Sequence, residues 1–139
     1  SFLGEDFSTA LAHGHSYTAN PVACAAALAS LDLHRSTDSS GQVRRIHAAM
    51  TEGIGRIASL PGVLRPRILG GIAAFDLGGQ TGYTAPVGRI LSLRAQEKGL
   101  LIRPLGNVVY LMPPYCTTDE QIERTFRILE EILLDLQEC

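Results

Sequence analysis

The 139 residues predict an α+β domain, with helices packed on one face of a small, largely antiparallel sheet. Three observations carry that prediction. Apolar residues recur by threes and fours in several separate stretches, as on one face of a helix. Short runs rich in valine, isoleucine and leucine come in pairs around turn residues, as in hairpins. Glycine and proline clusters mark the boundaries between the two patterns. The chain is long enough for one core and too short for two.

Asn20-Pro21 opens the first helix, because an Asx side chain caps free N–H groups and proline at the first helical position has no N–H to orphan. That helix runs to about His34. The polar turn residues of 36–41 follow, and a second helix from Gln42 to about Ser59 carries Val43, Ile46, Met50, Ile54 and Ile57 on one face. Leu60-Pro61-Gly62 ends it. Val63–Leu69 and Ile72–Leu77 read as two strands around Gly70-Gly71, with Pro66 arguing for an edge position. Pro86–Lys98 has helical spacing and Gly99 as its stop. Leu101–Arg103 and Val108–Met112 read as two further strands across the turn Pro104-Leu105-Gly106-Asn107. Thr118 with Gln121 makes a capping box for a last helix carrying Ile122, Phe126, Leu129, Ile132, Leu133 and Leu136.

A net charge of −2 and a hydrophobic fraction of 45% describe an ordinary globular protein, without the basic surplus of a nucleic-acid binder. The Ala-rich stretch from Pro21 to Leu33 is too short to span a bilayer, and no charged leader with a cleavage site precedes it. Cys24, Cys116 and Cys139 are odd in number and unpatterned in spacing, which fits reduced thiols and a cytoplasmic location. The chain begins with Ser1, and its first twelve residues hold no convincing start of an independent fold, so it reads as a fragment.

Most catalytic constellations fail on spacing. His13 and His15 have no third and fourth ligand at metal-like distances, so a metal site is not expected. Gly14-His15-Ser16 lacks the glycine that would follow the serine of a nucleophile elbow. Neither Gly70-Gly71 nor the run 78–82 has the context of a phosphate loop. Lys98, the chain's one lysine, sits at a helix end in Gln96-Glu97-Lys98-Gly99, where a solvated cation meets the C-terminal dipole. Arg103 is different. It lies in the almost wholly apolar run from Gly99 to Tyr115, and a guanidinium held there needs a carboxylate or phosphate, a structural ion-pair partner, or a route for its head to water.

That same run carries a resemblance. Arg103-Pro104, Gly106, Tyr110 and Met112-Pro113-Pro114-Tyr115, together with His13 to Leu31, resemble two segments of the class III pyridoxal-phosphate aminotransferases, and within them the diaminopelargonate synthases of biotin biosynthesis. The resemblance implies the small C-terminal domain of a fold-type I transferase. Residues 1–35 would form the junction with an absent large domain and the first helix, and residues 36–139 the small α+β domain. It further implies a homodimer in which Gly14, His15 and Ser16 contact the phosphate of the pyridoxal 5'-phosphate held by the partner subunit. Arg103 would grip the carboxylate of the keto acid 7-keto-8-aminopelargonate, Tyr110 would line that pocket, and adenosylmethionine would be the amino donor. The lysine that holds the cofactor would lie upstream of Ser1, leaving no catalytic residue in this segment. His15 and Ala19 stand where some members have proline and glycine. Tyr110 stands where many other class III transaminases have arginine, which favours the diaminopelargonate branch over ω-amino-acid or ornithine types. A non-catalytic binding module with the same small-domain fold is the remaining alternative.

Overall fold

The computed structural model describes Asp6, Thr9, Gly14, Ser16 and residues 18–136. The chain divides into two compact units, residues 1–37 and residues 38–139.

In the first unit, helix α1 spans Pro21–Ser36. The Asn20 side chain accepts from the Val22 and Ala23 N–H groups at 3.0 and 3.2 Å, which is the cap expected from the sequence. The helix continues two residues beyond His34, and the Leu33 carbonyl at its end accepts from both the Thr37 N–H and the Thr37 hydroxyl. No α1 side chain is buried, and Val22, Leu28, Leu31 and Leu33 are all half or more exposed.

The second unit holds the core. Helix α2, Ser39–Ile57, starts three residues before Gln42 because Asp38, inside the polar run, caps it by accepting from the Gly41 N–H at 2.8 Å. Its buried stripe is Ile46, Met50, Ile54 and Ile57, with Gly53 among them. Glycine is required there, since a Cβ would collide with the ring of Phe126. Strands β1, Val63–Leu69, and β2, Ile72–Leu77, form the expected antiparallel hairpin, closed by Gly70 at φ 55°. The strand order is β1-β2-β3, so β1 is an edge strand, as Pro66 demands. The ladder shifts register between Leu64 and Arg67, which sets Arg65 and Pro66 in a bulge with Arg65 at φ 48°.

Helix α3, Val87–Glu97, buries Gly88, Leu91 and Ala95, and Gly99 at φ 77° turns the chain out of it. Strand β3, Val108–Leu111, pairs antiparallel with β2. The strand expected at Leu101–Arg103 does not form. Its backbone groups are engaged elsewhere: the Ile102 carbonyl accepts the Ser92 hydroxyl at 2.8 Å, and Pro104 has no N–H to offer a ladder. Only an isolated bridge joins Leu105 to Val108. Helix α4, Asp119–Asp135, begins with both bonds of the Thr118–Gln121 capping box. It buries Ile122, Phe126, Ile128, Leu129, Ile132 and Leu133 against α2 and α3, with Phe75 and Val109 closing the core from the sheet.

Candidate functional site

Arg103 stands at the entrance to the turn Pro104-Leu105-Gly106-Asn107, and that turn is fastened on every side. Leu105 and Val108 exchange backbone hydrogen bonds at 2.8 and 3.0 Å. Asn107 is buried; its Oδ1 accepts from the Gly82 N–H at 2.9 Å and its Nδ2 donates to the Leu77 carbonyl at 3.2 Å. The Leu77 N–H returns a bond to the Asn107 carbonyl at 2.7 Å. Gly106, at φ 60°, lies against the Gly82 carbonyl, and Gly88 of α3 lies against the Gly106 carbonyl, both too closely for a side chain. Backbone on both sides of Arg103 is therefore fixed by α3 and the sheet, whereas its guanidinium is exposed. Among the described residues it has no hydrogen bond and no ion pair. Of the three fates the sequence left open, the internal partner is the one the described residues do not supply.

Tyr110 sits half-buried on β3, opposite Ala74 of β2. Its neighbour Val109 points into the core, so Tyr110 occupies the other face of the sheet by strand alternation. Arg103 and Tyr110 line one groove of about 360 Å³, walled mainly by Leu101, Ile102, Met112, Pro113 and Pro114. Arg103 is its one charged lining residue among those described. A mainly apolar trough whose polar lining residues are Arg103, Tyr110, Thr117 and Thr125 suits an aliphatic molecule that ends in an acid.

Arg103 also borders a second groove, of about 450 Å³, between the start of α3 and the turn. Arg89 lines it too, a residue that the sequence alone does not single out. Nothing in the local pattern of α3 marks it; only the packing of Gly88 on Gly106 brings the helix start to Arg103.

Gly14 and Ser16 belong to the first unit and are exposed; His15 lies outside the described residues, as do His13 and Cys139. The Ser16 hydroxyl has no hydrogen bond among the described residues, so it is available to donate to an anion. Lys98 is engaged. Its ammonium donates to Glu131 at 2.8 Å, and that hydrogen bond raises its pKa above the usual lysine value. His34 and His47 are on helix surfaces, and no group of three His, Cys, Asp or Glu that could hold a metal comes together among the described residues. Cys24 and Cys116 are free and exposed. No described helix is long and apolar enough to cross a membrane.

A second charge cluster was not anticipated. Asp76 on β2 is 1% exposed and carries bonds from Arg65 and from Arg67, the latter at 2.9 Å. Burial alone would raise its pKa, but the bonds from Arg67 and Arg65 outweigh it and hold the carboxyl below its ordinary value. The signal was present: Asp76 is the one charged residue of an otherwise apolar strand, across a hairpin from Arg65-Pro66-Arg67.

Comparison with known proteins follows the same lines. Residues 3–133 match the family described as aminotransferase class III. Adenosylmethionine-8-amino-7-oxononanoate aminotransferase of Synechococcus elongatus is 47% identical over 122 residues, which is 87% of this chain and 28% of the relative. The protein of the same name from Corynebacterium glutamicum is 38% identical over 81% of this chain and 25% of its own length. Among solved structures, adenosylmethionine-8-amino-7-oxononanoate aminotransferase of Methanocaldococcus jannaschii superposes with a TM-score of 0.75 at 28% identity, covering 96% of this chain and 32% of that one. A thermostable omega transaminase of Pseudomonas jessenii superposes with a TM-score of 0.74 at 28% identity, over 91% of this chain and 29% of that one. The chain thus spans between a quarter and a third of the length of these four proteins.

Proposed function

Since the chain belongs to the class III aminotransferases, we propose that the whole protein is a pyridoxal-phosphate transaminase of biotin biosynthesis. It converts 7-keto-8-aminopelargonate to 7,8-diaminopelargonate, with adenosylmethionine as amino donor. The observation that carries this reading is the groove in which Arg103, unpaired among the described residues, and Tyr110 stand over an apolar wall. A keto acid with a long aliphatic chain needs such a surface, apolar along its length and cationic at one end. The fork of the guanidinium binds the carboxylate in one orientation, and the fastened turn holds that fork in place. Fixing the acid end orients the ketone at the other, which is the contribution of this segment to rate.

The cofactor fits the described residues as a ligand of the first unit and not as a covalent adduct of the second. The exposed Ser16 hydroxyl is a suitable donor to a phosphate oxygen, and Gly14 beside it leaves open space where a side chain would stand. In the homodimer this contact reaches the partner subunit's cofactor. Lys98, bonded to Glu131 with its pKa raised, is the opposite of the neutral amine that cofactor attachment requires. Bound pyridoxal phosphate supplies the electron sink through which an amino group leaves a donor and enters a ketone.

An omega-type transaminase is the competing reading, because its fold superposes as well as that of the biotin-named enzyme. Tyr110 favours the biotin reading, since the resemblance puts a tyrosine here in that branch and an arginine in many other class III transaminases. Assay of the full-length protein with pyridoxal phosphate, adenosylmethionine and 7-keto-8-aminopelargonate, read by mass spectrometry, should yield 7,8-diaminopelargonate. Equal turnover of ketones that lack a carboxylate, or none of the keto acid, overturns the proposal.

A further inference from the structure

The groove between the start of α3 and the turn after Arg103 is lined by Tyr83, Thr84, Ser92 and uncharged backbone-rich positions, with Arg89 and Arg103 as its charges. No carboxylate lines it among the described residues, and neither arginine has a hydrogen bond or an ion pair among them. Several arginines elsewhere in the same unit find partners: Arg45 pairs with Asp119, Arg65 and Arg67 with Asp76, and Arg127 with Glu123. Arg124, on α4, stands alone among the described residues and lines no groove with Arg89 or Arg103. Two like charges left unmatched on one concave surface repel each other unless an anion lies between or beside them. The turn prevents them from relaxing apart by backbone movement, since Gly88, next to Arg89, packs on the Gly106 carbonyl and on Pro104, next to Arg103.

We infer that Arg89 is a specificity-determining residue, a second cationic ligand for the acid group of the substrate that Arg103 binds. The inference rests on the reading of Arg103 as the carboxylate ligand. It extends that reading by making the site selective for aliphatic acids over uncharged ketones through two guanidinium groups from different elements, one on α3 and one before the turn. The ligand class is a carboxylate or a comparable oxyanion; inorganic sulfate, which also presents anionic oxygens to a guanidinium, serves as a simple probe of it.

The test uses the full-length holoenzyme and steady-state kinetics of the keto-acid half-reaction at several salt concentrations. Arg89→Gln should raise KM for the keto acid by about two- to fivefold, the range of one solvent-exposed charge pair, with kcat nearly unchanged. It should also flatten the rise of KM with salt, because one screened charge has gone, and weaken competitive inhibition by sulfate to a similar degree. Arg89→Lys should restore most of the effect, since at this exposed position charge matters more than the fork. The amino-donor half-reaction and cofactor absorbance report folding independently. If Arg89→Gln leaves KM, salt slope and sulfate inhibition unchanged while Arg103→Ala lowers kcat/KM, Arg89 is a solvated cation and this inference is overturned with the function reading intact. If Arg103→Ala is silent and Arg89→Gln is not, the carboxylate reading of Arg103 fails, and with it the paired site. If both are silent, both fall.

Discussion

Two pairs of arginines in one small domain meet opposite fates. Arg65 and Arg67, on the bulged edge strand, close on the buried carboxylate of Asp76. Arg89 and Arg103, flanking the fastened turn, close on nothing among the described residues. The difference lies in what the backbone beneath them does. At the edge, the bulge at Arg65 and Pro66 lets two successive arginines reach the same partner across the hairpin. At the turn, Asn107 and the glycine contacts hold the chain rigid, and among the described residues no acid lines the groove. The first arrangement uses charge to hold the fold together; the second, in the proposed site, leaves charge for a ligand.

The largest effect should come from breaking the closed pair. Replacing Arg65 and Arg67 together by alanine strands a buried carboxylate, which costs about 3–5 kcal/mol. Denaturant unfolding should read this as a lower midpoint with an unchanged slope. The pH dependence gives an independent check. Because the folded pKa of Asp76 is depressed, its contribution is present above the ordinary value of 3.8 and is lost as pH falls through the folded pKa. Loss of the two arginines should make the protein unfold at higher pH on acidification; an unchanged acid transition would show that the cluster does not carry stability.

The open pair should behave in the reverse way. Arg103→Ala is expected to leave the unfolding midpoint in place and lower kcat/KM for the keto acid by about tenfold to over a hundredfold, which is about 1.5–3 kcal/mol. Arg103→Lys should recover part, keeping charge without the fork. A variant that unfolds instead would move Arg103 into the same class as Arg67, and the contrast would collapse.

The contrast also measures what the sequence makes legible. Every helix and the β1–β2 hairpin follow from patterns within a dozen residues: the Asn20 cap, the Thr118–Gln121 box, the period of Ile46, Met50 and Ile54, the edge demand of Pro66. The missing strand at Leu101–Arg103 shows the limit of such patterns, because whether an extended run joins a sheet depends on where its backbone groups find partners, and Ser92 lies ten residues away. Arg103 and Tyr110 could be singled out from their apolar surroundings and from resemblance. Arg89 could not, since only tertiary packing at Gly88 places it beside them. Asp76 was readable as an anomaly in its strand, but its partners became visible only through the bulge.

Ser16 extends the comparison to a neutral group. Its hydroxyl, like Arg103, has no hydrogen bond among the described residues. In the full-length protein, Ser16→Ala should weaken retention of pyridoxal phosphate by about 1–3 kcal/mol, the value of a hydrogen bond to a charged group. The Asn20 cap bonds Val22 and Ala23 independently, so α1 should stay folded. The proposed homodimer and its cross-subunit contact predict that mixed dimers with the change in one subunit lose cofactor from the opposite site alone; equal loss from both sites would remove that contact.

The smallest effect should be at Lys98, whose pairing looks on paper like that of Asp76. Both are ion pairs with shifted pKa values, yet Lys98 and Glu131 are in water, where screening and side-chain entropy cancel most of the attraction. The shifts bound the pH window. Glu131, lowered chiefly by its hydrogen bond from Lys98, contributes above its ordinary value of 4.5 and ceases to as pH falls through its folded pKa. Lys98, raised by the same bond, contributes below its ordinary value of 10.5 and ceases to as pH rises through its folded pKa. Between those limits Lys98→Gln should leave the thermal midpoint within measurement error. In the full-length protein it should also leave the cofactor content unchanged, because an ammonium engaged by Glu131 is not the amine that holds the cofactor. Borohydride reduction followed by peptide mass mapping decides the point: label on the peptide containing Lys98 would assign this lysine a covalent role and would contradict the division between closed and open charges drawn from the two arginine pairs.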